Sequence, residues 1–136
     1  MDLRSRWPDR LAAGLLVATA LAGIALWPRL PAEMAVHFDA GGEPDTYVSR
    51  PVAVVLAPII GVAGVGITRL AERSDPSSDP RVGRATVLFV GGVVAYAQGL
   101  VLAYNLGHAI RLPFALAPVG IASVGLVGYA LVRDRP

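Results

Sequence analysis

The chain has 136 residues, of which 54% are hydrophobic and 16% charged, and its formal net charge at pH 7 is +2. A soluble domain of this size needs more polar surface, so the composition favours a membrane protein. The absence of cysteine excludes disulfides, thiolate metal sites and cysteine nucleophiles. An excess of two charges gives no reason to expect nucleic-acid binding.

Four apolar segments, free of charged residues, occupy about residues 11–27, 52–68, 85–104 and 114–132. A helix of roughly 20 residues crosses a hydrocarbon core of about 30 Å, and a helix satisfies its own backbone hydrogen bonds in lipid. We therefore predict an all-α integral membrane protein, in which four transmembrane helices form a bundle and residues 1–136 form a single membrane domain.

The first segment follows a basic start, as the apolar region of a signal peptide does. The end of this segment, residues 27–31, lacks the small residues of an A-x-A cleavage site. Trp27 is suited to anchor a helix at the membrane interface. We therefore interpret this segment as a retained transmembrane anchor.

All twelve basic residues are arginine, and they flank the segments unevenly. Only Arg29, Arg50 and Arg111 lie on one side, whereas the other side has nine: Arg4, Arg6, Arg10, Arg69, Arg73, Arg81, Arg84, Arg133 and Arg135. By the positive-inside rule, the nine-arginine side is cytoplasmic. We expect a multi-pass protein of the cell membrane with both termini in the cytoplasm.

Small residues recur four apart within the segments, and such residues let helix backbones approach closely in lipid. The predicted packing stripes are Gly14, Ala18 and Ala22, then Ala53, Ala57 and Gly61, then Gly91, Ala95, Gly99 and Ala103. The same stripes could support a homo-oligomer.

Gln98 is the clearest polar residue at membrane depth. An interhelical hydrogen bond is the favoured role for its amide, and a ligand contact is the alternative. No ionisable residue lies within an apolar segment, which argues against a proton-coupled pump that acts alone.

Charged, imidazole and aromatic side chains occur together in the connector between the first two segments, residues 28–50. Gly41 and Gly42 permit positive φ, and Pro44 followed by Asp45 favours a turn. We predict an ordered extracytoplasmic cap, with a short helical turn opened by Pro31 that has Glu33 near its N-terminus, and a short strand over residues 36–38.

The connector also resembles a known family. The resemblance rests on Leu30-Pro31, His37-Phe38-Asp39, the run from Gly42 to Tyr47, and Ser49-Arg50. This order is similar to the uncharacterised N-terminal membrane domain (DUF1648-like) of SdpI-type proteins, over about residues 15–65. The best-known members confer immunity to a secreted toxin and signal to a membrane-sequestered repressor. Nothing after residue 70 resembles the C-terminal portion of those proteins, so the resemblance does not imply immunity.

The two histidines fall in the predicted outer loops. His37, Asp39 and His108, with Asp45 or Glu43, could form a divalent metal site, since imidazole and carboxylate suit zinc. H-x-D is a weak signal, and the favoured alternative is that His37 and Asp45 hydrogen-bond the loop backbone. We expect no cofactor.

The function predicted from these observations is an accessory, sensory or immunity-like membrane protein that binds an external peptide, ion or partner through the connector. A small transporter or transporter subunit is the alternative, and no nucleophile–base pair suggests an enzyme. The candidate ligand-binding or cap-structuring residues are His37, Phe38, Asp39, Gly42, Pro44, Asp45, Tyr47, Arg50 and His108.

Overall fold

The computed structural model describes residues 6–134. Between these residues, four helices are long and apolar enough to cross a membrane: α1 (Trp7–Ala25), α2 (Arg50–Ser74), α3 (Pro80–Asn105) and α4 (Leu112–Arg133). They indicate a multi-pass membrane protein in contact with a lipid bilayer. Arg4 and Arg135, which enter the predicted orientation, lie outside the described residues.

Helices α2, α3 and α4 extend beyond both ends of the predicted apolar segments, most clearly at the end of α2, which continues from residue 68 to Ser74. Helix α1 begins before its predicted segment but ends at Ala25, two residues before the predicted end. Hydropathy marks the part of a helix that contacts lipid, whereas the hydrogen-bonded helix can continue into the polar interface. Each helix has a proline at its first or second position: Pro8, Pro51, Pro80 and Pro113. Proline is favoured there because its missing N–H has no partner within the helix.

The connector between α1 and α2 is a β-hairpin, so the all-α prediction is wrong here. Strand β1 (Glu33–Phe38) pairs antiparallel with β2 (Pro44–Ser49), with a bulge between Ala35 and Phe38. The predicted short strand over residues 36–38 is part of β1. A short 3-10 turn lies at Trp27–Arg29 rather than after Pro31, and Glu33 begins a strand instead of capping a helical turn.

Helix α3 lies at the centre of the bundle and packs against the other three helices. Helix α4 packs mainly against α3, and Ala115 is the only buried residue along its length, all of which is described. Its large apolar side chains, such as Phe114 and Ile121, are about three-quarters exposed. In a bilayer these side chains face lipid, so their exposure is compatible with a stable fold.

The packing face of α1 differs from the predicted stripe. Gly14 and Ala18 are exposed and Ala22 is half-buried, whereas the buried residues are Pro8, Ala12, Leu16, Thr19 and Gly23. Residues 14 and 18 are two positions from 12 and 16, which is about 200° around a helix. Gly14 and Ala18 therefore lie on the opposite side of α1, whereas Ala22 packs against the apolar core.

The stripe of α2 lies on the packing face, since Ala53, Ala57 and Gly61 are buried. At Gly61 an added Cβ would collide with the side chain of Leu16, so α1 and α2 are in close contact there.

In α3 only one residue of the predicted stripe is buried. Gly91 packs on Ala12, where an added Cβ would lie 2.9 Å from the Ala12 Cβ. Ala95 and Ala103 are half-buried, and Gly99 is exposed. A strict spacing of four advances about 40° per step, so the stripe rotates away from the neighbouring helices. The buried residues of α3 are Gly83, Val87, Gly91, Gln98 and Leu102, and the step of seven from Gly91 to Gln98 brings them back to the packing face.

Gln98 connects two helices. Its side-chain Nε2 donates to the carbonyl oxygen of Ala53 on α2 at 3.1 Å, and the residue is buried. This is the interhelical bond that the sequence analysis favoured for Gln98.

Candidate functional site

The hairpin is anchored on the bundle by an apolar cluster. Leu30 and Met34 pack with Ala53, Val54 and Leu102, and Met34 is fully buried. Because these side chains come from α2, α3 and the connector, the hairpin is held against the helix ends rather than extending freely into solvent.

The free edge of β1 is closed by a side chain from α3. The Asn105 Oδ1 accepts from the Ala35 N–H at 2.9 Å, and the Asn105 Nδ2 donates to the Ala35 carbonyl oxygen at 2.9 Å. Nδ2 also donates to the Val101 carbonyl oxygen at 2.8 Å. One amide thus takes the place of a neighbouring strand. Sequence analysis missed Asn105 as a site residue. The sequence shows an amide at the end of an apolar segment, but its partner Ala35 is 70 positions away.

Arg50 ties the start of α2 to the end of α1. Its side-chain Nη1 donates to the Trp27 carbonyl oxygen at 2.8 Å, and the guanidinium lies 5.1 Å from the centroid of the Trp27 ring. Its backbone N–H donates to the Ala32 carbonyl oxygen at 2.9 Å. Nε is buried and has no hydrogen-bond partner among the described residues. These contacts make Arg50 a structural residue at the base of the hairpin.

The tip of the hairpin is shaped by Asp39. One oxygen of its carboxylate accepts from the backbone N–H groups of Gly41, at 2.9 Å, and Glu43, at 3.0 Å. Gly42 has a φ of +83°, a conformation that favours glycine. Asp39 and Gly42 therefore set the turn, and the Asp39 carboxylate is engaged by the chain itself.

Phe38 and Pro44, two further residues of the predicted site, pair with each other in the hairpin. Phe38 packs edge-on against Tyr104 of α3, with ring centroids 4.8 Å apart. This contact is a second link between the hairpin and α3.

His37 and Asp45 pair across the outer surface of the hairpin. His37 Nδ1 lies 2.6 Å from Asp45 Oδ1, and the side chains are 68% and 44% exposed. The hydrogen bond from His37 holds the pKa of Asp45 below its usual value, and the Thr46 hydroxyl, which donates to the same carboxylate, acts in the same direction. The two predicted residues thus bond each other rather than the loop backbone.

The structure does not assemble the candidate metal site. Between residues 6 and 134, no three His, Asp or Glu side chains form a group that could hold a metal ion. Asp39 is turned into the hairpin tip, and His108 follows α3, where its backbone N–H donates to the Ala103 carbonyl oxygen at 3.1 Å. His37, Asp39 and His108 are therefore not brought together as ligands.

The outer edge of β2 is open. Because the Ala35 N–H and C=O point toward Asn105, Ala35 and its partner Tyr47 form a non-hydrogen-bonded pair. The Tyr47 main-chain groups then point away from β1, and no residue in the described part of the chain hydrogen-bonds them. The Tyr47 side chain is 55% exposed beside this edge.

A family model described as "Domain of unknown function (DUF1648)" matches residues 14–62. The match confirms the DUF1648-like domain that the sequence predicts, and it covers most of α1, the hairpin and the first half of α2. Asn105 lies outside the matched residues. No curated protein and no solved structure is significantly similar to the chain.

Proposed function

We propose that this protein is an accessory, sensory or immunity-like binding protein of the cell membrane, whose hairpin engages an extended peptide segment of an external partner. In this proposal both termini are cytoplasmic. The distribution of arginine supports the orientation: seven described arginines lie at the end away from the hairpin, whereas Arg29, Arg50 and Arg111 lie at the hairpin end.

The observation that carries the proposal is the asymmetry of the two sheet edges. The β1 edge is filled by the Asn105 amide, whereas the β2 edge presents unpaired main-chain groups at Tyr47. An open edge on a rigid support is the surface to which extended peptides add as a further strand. Anchoring by Met34 and Arg50 supports this role because a fixed edge loses less entropy on binding.

Charge favours a basic occupant. The hairpin and its turn carry four carboxylates, those of Glu33, Asp39, Glu43 and Asp45, and all four residues are exposed. The only imidazole among them, that of His37, is paired with Asp45. Peptides with lysine or arginine beside the edge would therefore associate faster and bind more tightly than acidic ones.

A synthetic decapeptide of alternating lysine and valine tests the proposal with detergent-solubilised protein and titration calorimetry. We expect binding that is lost when alternate peptide nitrogens are methylated, because methylation removes the donors that a new strand needs. Tyr47→Pro removes the outward N–H of β2 and should abolish binding, whereas Tyr47→Ala retains that N–H and should retain binding.

Equal binding of the methylated peptide, or equal binding to the Tyr47→Pro and Tyr47→Ala variants, would overturn the edge-pairing mechanism. The transporter alternative makes a different prediction, namely solute flux in liposomes that contain this protein alone. Such flux, unaffected by Tyr47→Pro, would favour transport over peptide binding.

A further inference from the structure

A polar cavity lies at the end of the bundle opposite the hairpin. It has a volume of about 540 Å³ and forms where the start of α1, the end of α2 and the start of α3 converge. Its charged lining consists of four arginines and three carboxylates, namely Arg6, Arg69, Arg73, Arg84, Asp9, Glu72 and Asp75. The peptide-binding hairpin proposed above does not involve this cavity.

The inner part of the cavity is a completed ion-pair network. Arg69 donates through Nε and Nη2 to Asp9 Oδ1, at 3.0 and 2.6 Å, and through Nη1 to Glu72 Oε2 at 2.6 Å. Arg69 and Asp9 thereby join α2 to α1. Glu72 lies over Gly83 of α3, where no side chain would fit. The network joins α1 to α2 and engages each of the three nitrogens of the Arg69 guanidinium.

Two other arginines of the lining remain available. Arg73 follows Arg69 by one helical turn, and Arg84 lies in the second turn of α3. Neither guanidinium forms an ion pair or a side-chain hydrogen bond with another residue between positions 6 and 134. Two guanidinium groups from different helices therefore border one cavity, beside a network in which two carboxylates already occupy the guanidinium of Arg69. With four arginines and three carboxylates, the lining as a whole has an excess of one positive charge.

We infer that this cavity binds an anionic phosphate group through Arg73 and Arg84. Guanidinium presents a planar fork of donors that matches phosphate oxygens, and it remains charged at all physiological pH values. The cavity opens where the apolar parts of three helices end, which is the depth of lipid head groups in a bilayer. The phosphate can come from a lipid head group or from a soluble phosphate, and both share the recognition chemistry.

Native mass spectrometry of the detergent-solubilised protein, titrated with phosphatidylglycerol, phosphatidylcholine or inorganic phosphate, tests the site. We expect phosphatidylglycerol to bind more tightly than phosphatidylcholine. Arg73→Gln and Arg84→Gln should each weaken that binding about tenfold, because each removes a charge-assisted hydrogen bond to the phosphate. Arg81→Gln is the matched control because Arg81 is exposed at the same end but does not line the cavity; its binding should change less than twofold.

Inorganic phosphate distinguishes the two sources. Displacement of phosphatidylglycerol by millimolar phosphate, with the same dependence on Arg73 and Arg84, would assign the site to a soluble phosphate; resistance to it would assign the site to a lipid head group. Arg84→Lys keeps the charge and should lose less affinity than Arg84→Gln, which separates lost binding from misfolding. The inference is wrong if Arg81→Gln weakens binding as much as Arg73→Gln, or if neither probe binds wild type more tightly than the Arg73→Gln and Arg84→Gln variants.

Discussion

Replacing Asn105 by alanine tests how the hairpin is held. The substitution leaves the Ala35 N–H and C=O without their partners, and Ala35 is fully buried. A hydrogen bond contributes about 0.5–1.5 kcal/mol net, and an unsatisfied buried group costs about 1–3 kcal/mol. Two affected groups, partly rehydrated in the variant, give a loss of about 2–3 kcal/mol. Since about 1.4 kcal/mol is a factor of ten, local opening of the hairpin should become roughly 30- to 150-fold more frequent.

Amide hydrogen exchange of the wild type and the Asn105→Ala variant measures this opening. The Ala35 amide should lose protection by the stated factor, whereas the Val87 amide in the core of α3 should keep its protection. Asn105→Asp retains an acceptor for the Ala35 N–H but lacks a donor for its C=O, so it should give a smaller loss. Protection of Ala35 within threefold of wild type in Asn105→Ala would show that the amide does not close this edge.

Two further substitutions test helix packing and the surface pair. Gly91→Ala should destabilise the protein by about 1–3 kcal/mol because the added Cβ would clash with Ala12, even though alanine favours helix. Gly99→Ala places its Cβ in open space and should be neutral or stabilising by up to about 1 kcal/mol. Thermal unfolding in detergent measures both changes. In carbon-detected NMR titrations, Asp45 should titrate below its usual pKa of 3.8. The pairing with His37 is therefore complete above pH 3.8 and lost as the pH falls through the lowered pKa, and His37→Ala should raise that pKa; an unchanged midpoint would contradict the pairing.

The four helices could be predicted because lipid imposes a simple rule, namely apolar length without charge. The packing faces could not be read in the same way. A spacing of four among small residues marks Ala53, Ala57 and Gly61 correctly as buried but places Gly14 and Ala18 on the wrong side of α1. In an apolar helix the sequence carries little amphipathic contrast, so the face toward neighbouring helices depends on the three-dimensional arrangement.

The reversal of the chain at Gly41 and Gly42 could be predicted from local chemistry, because Gly42 has a φ of +83°. The turn predicted at Pro44 and Asp45 is wrong, because both residues lie in β2. The anchoring of the hairpin could not be predicted, because the Asn105 amide and the Arg50 guanidinium act on residues distant in sequence. The pairing of His37 with Asp45 follows from the register of the two strands, including the bulge, which residue spacing alone does not specify. The candidate metal ligands are not brought together, because the chain directs the Asp39 carboxylate to its own backbone.

Cysteine labelling in intact cells tests the central claim most directly, because the chain has no native cysteine. Ala40→Cys lies at the hairpin tip and Ser77→Cys in the loop between α2 and α3. The proposed topology predicts that a membrane-impermeant maleimide labels position 40 in intact cells and position 77 only after permeabilisation. Labelling of position 77 alone in intact cells would reverse the orientation and remove the hairpin from any external partner.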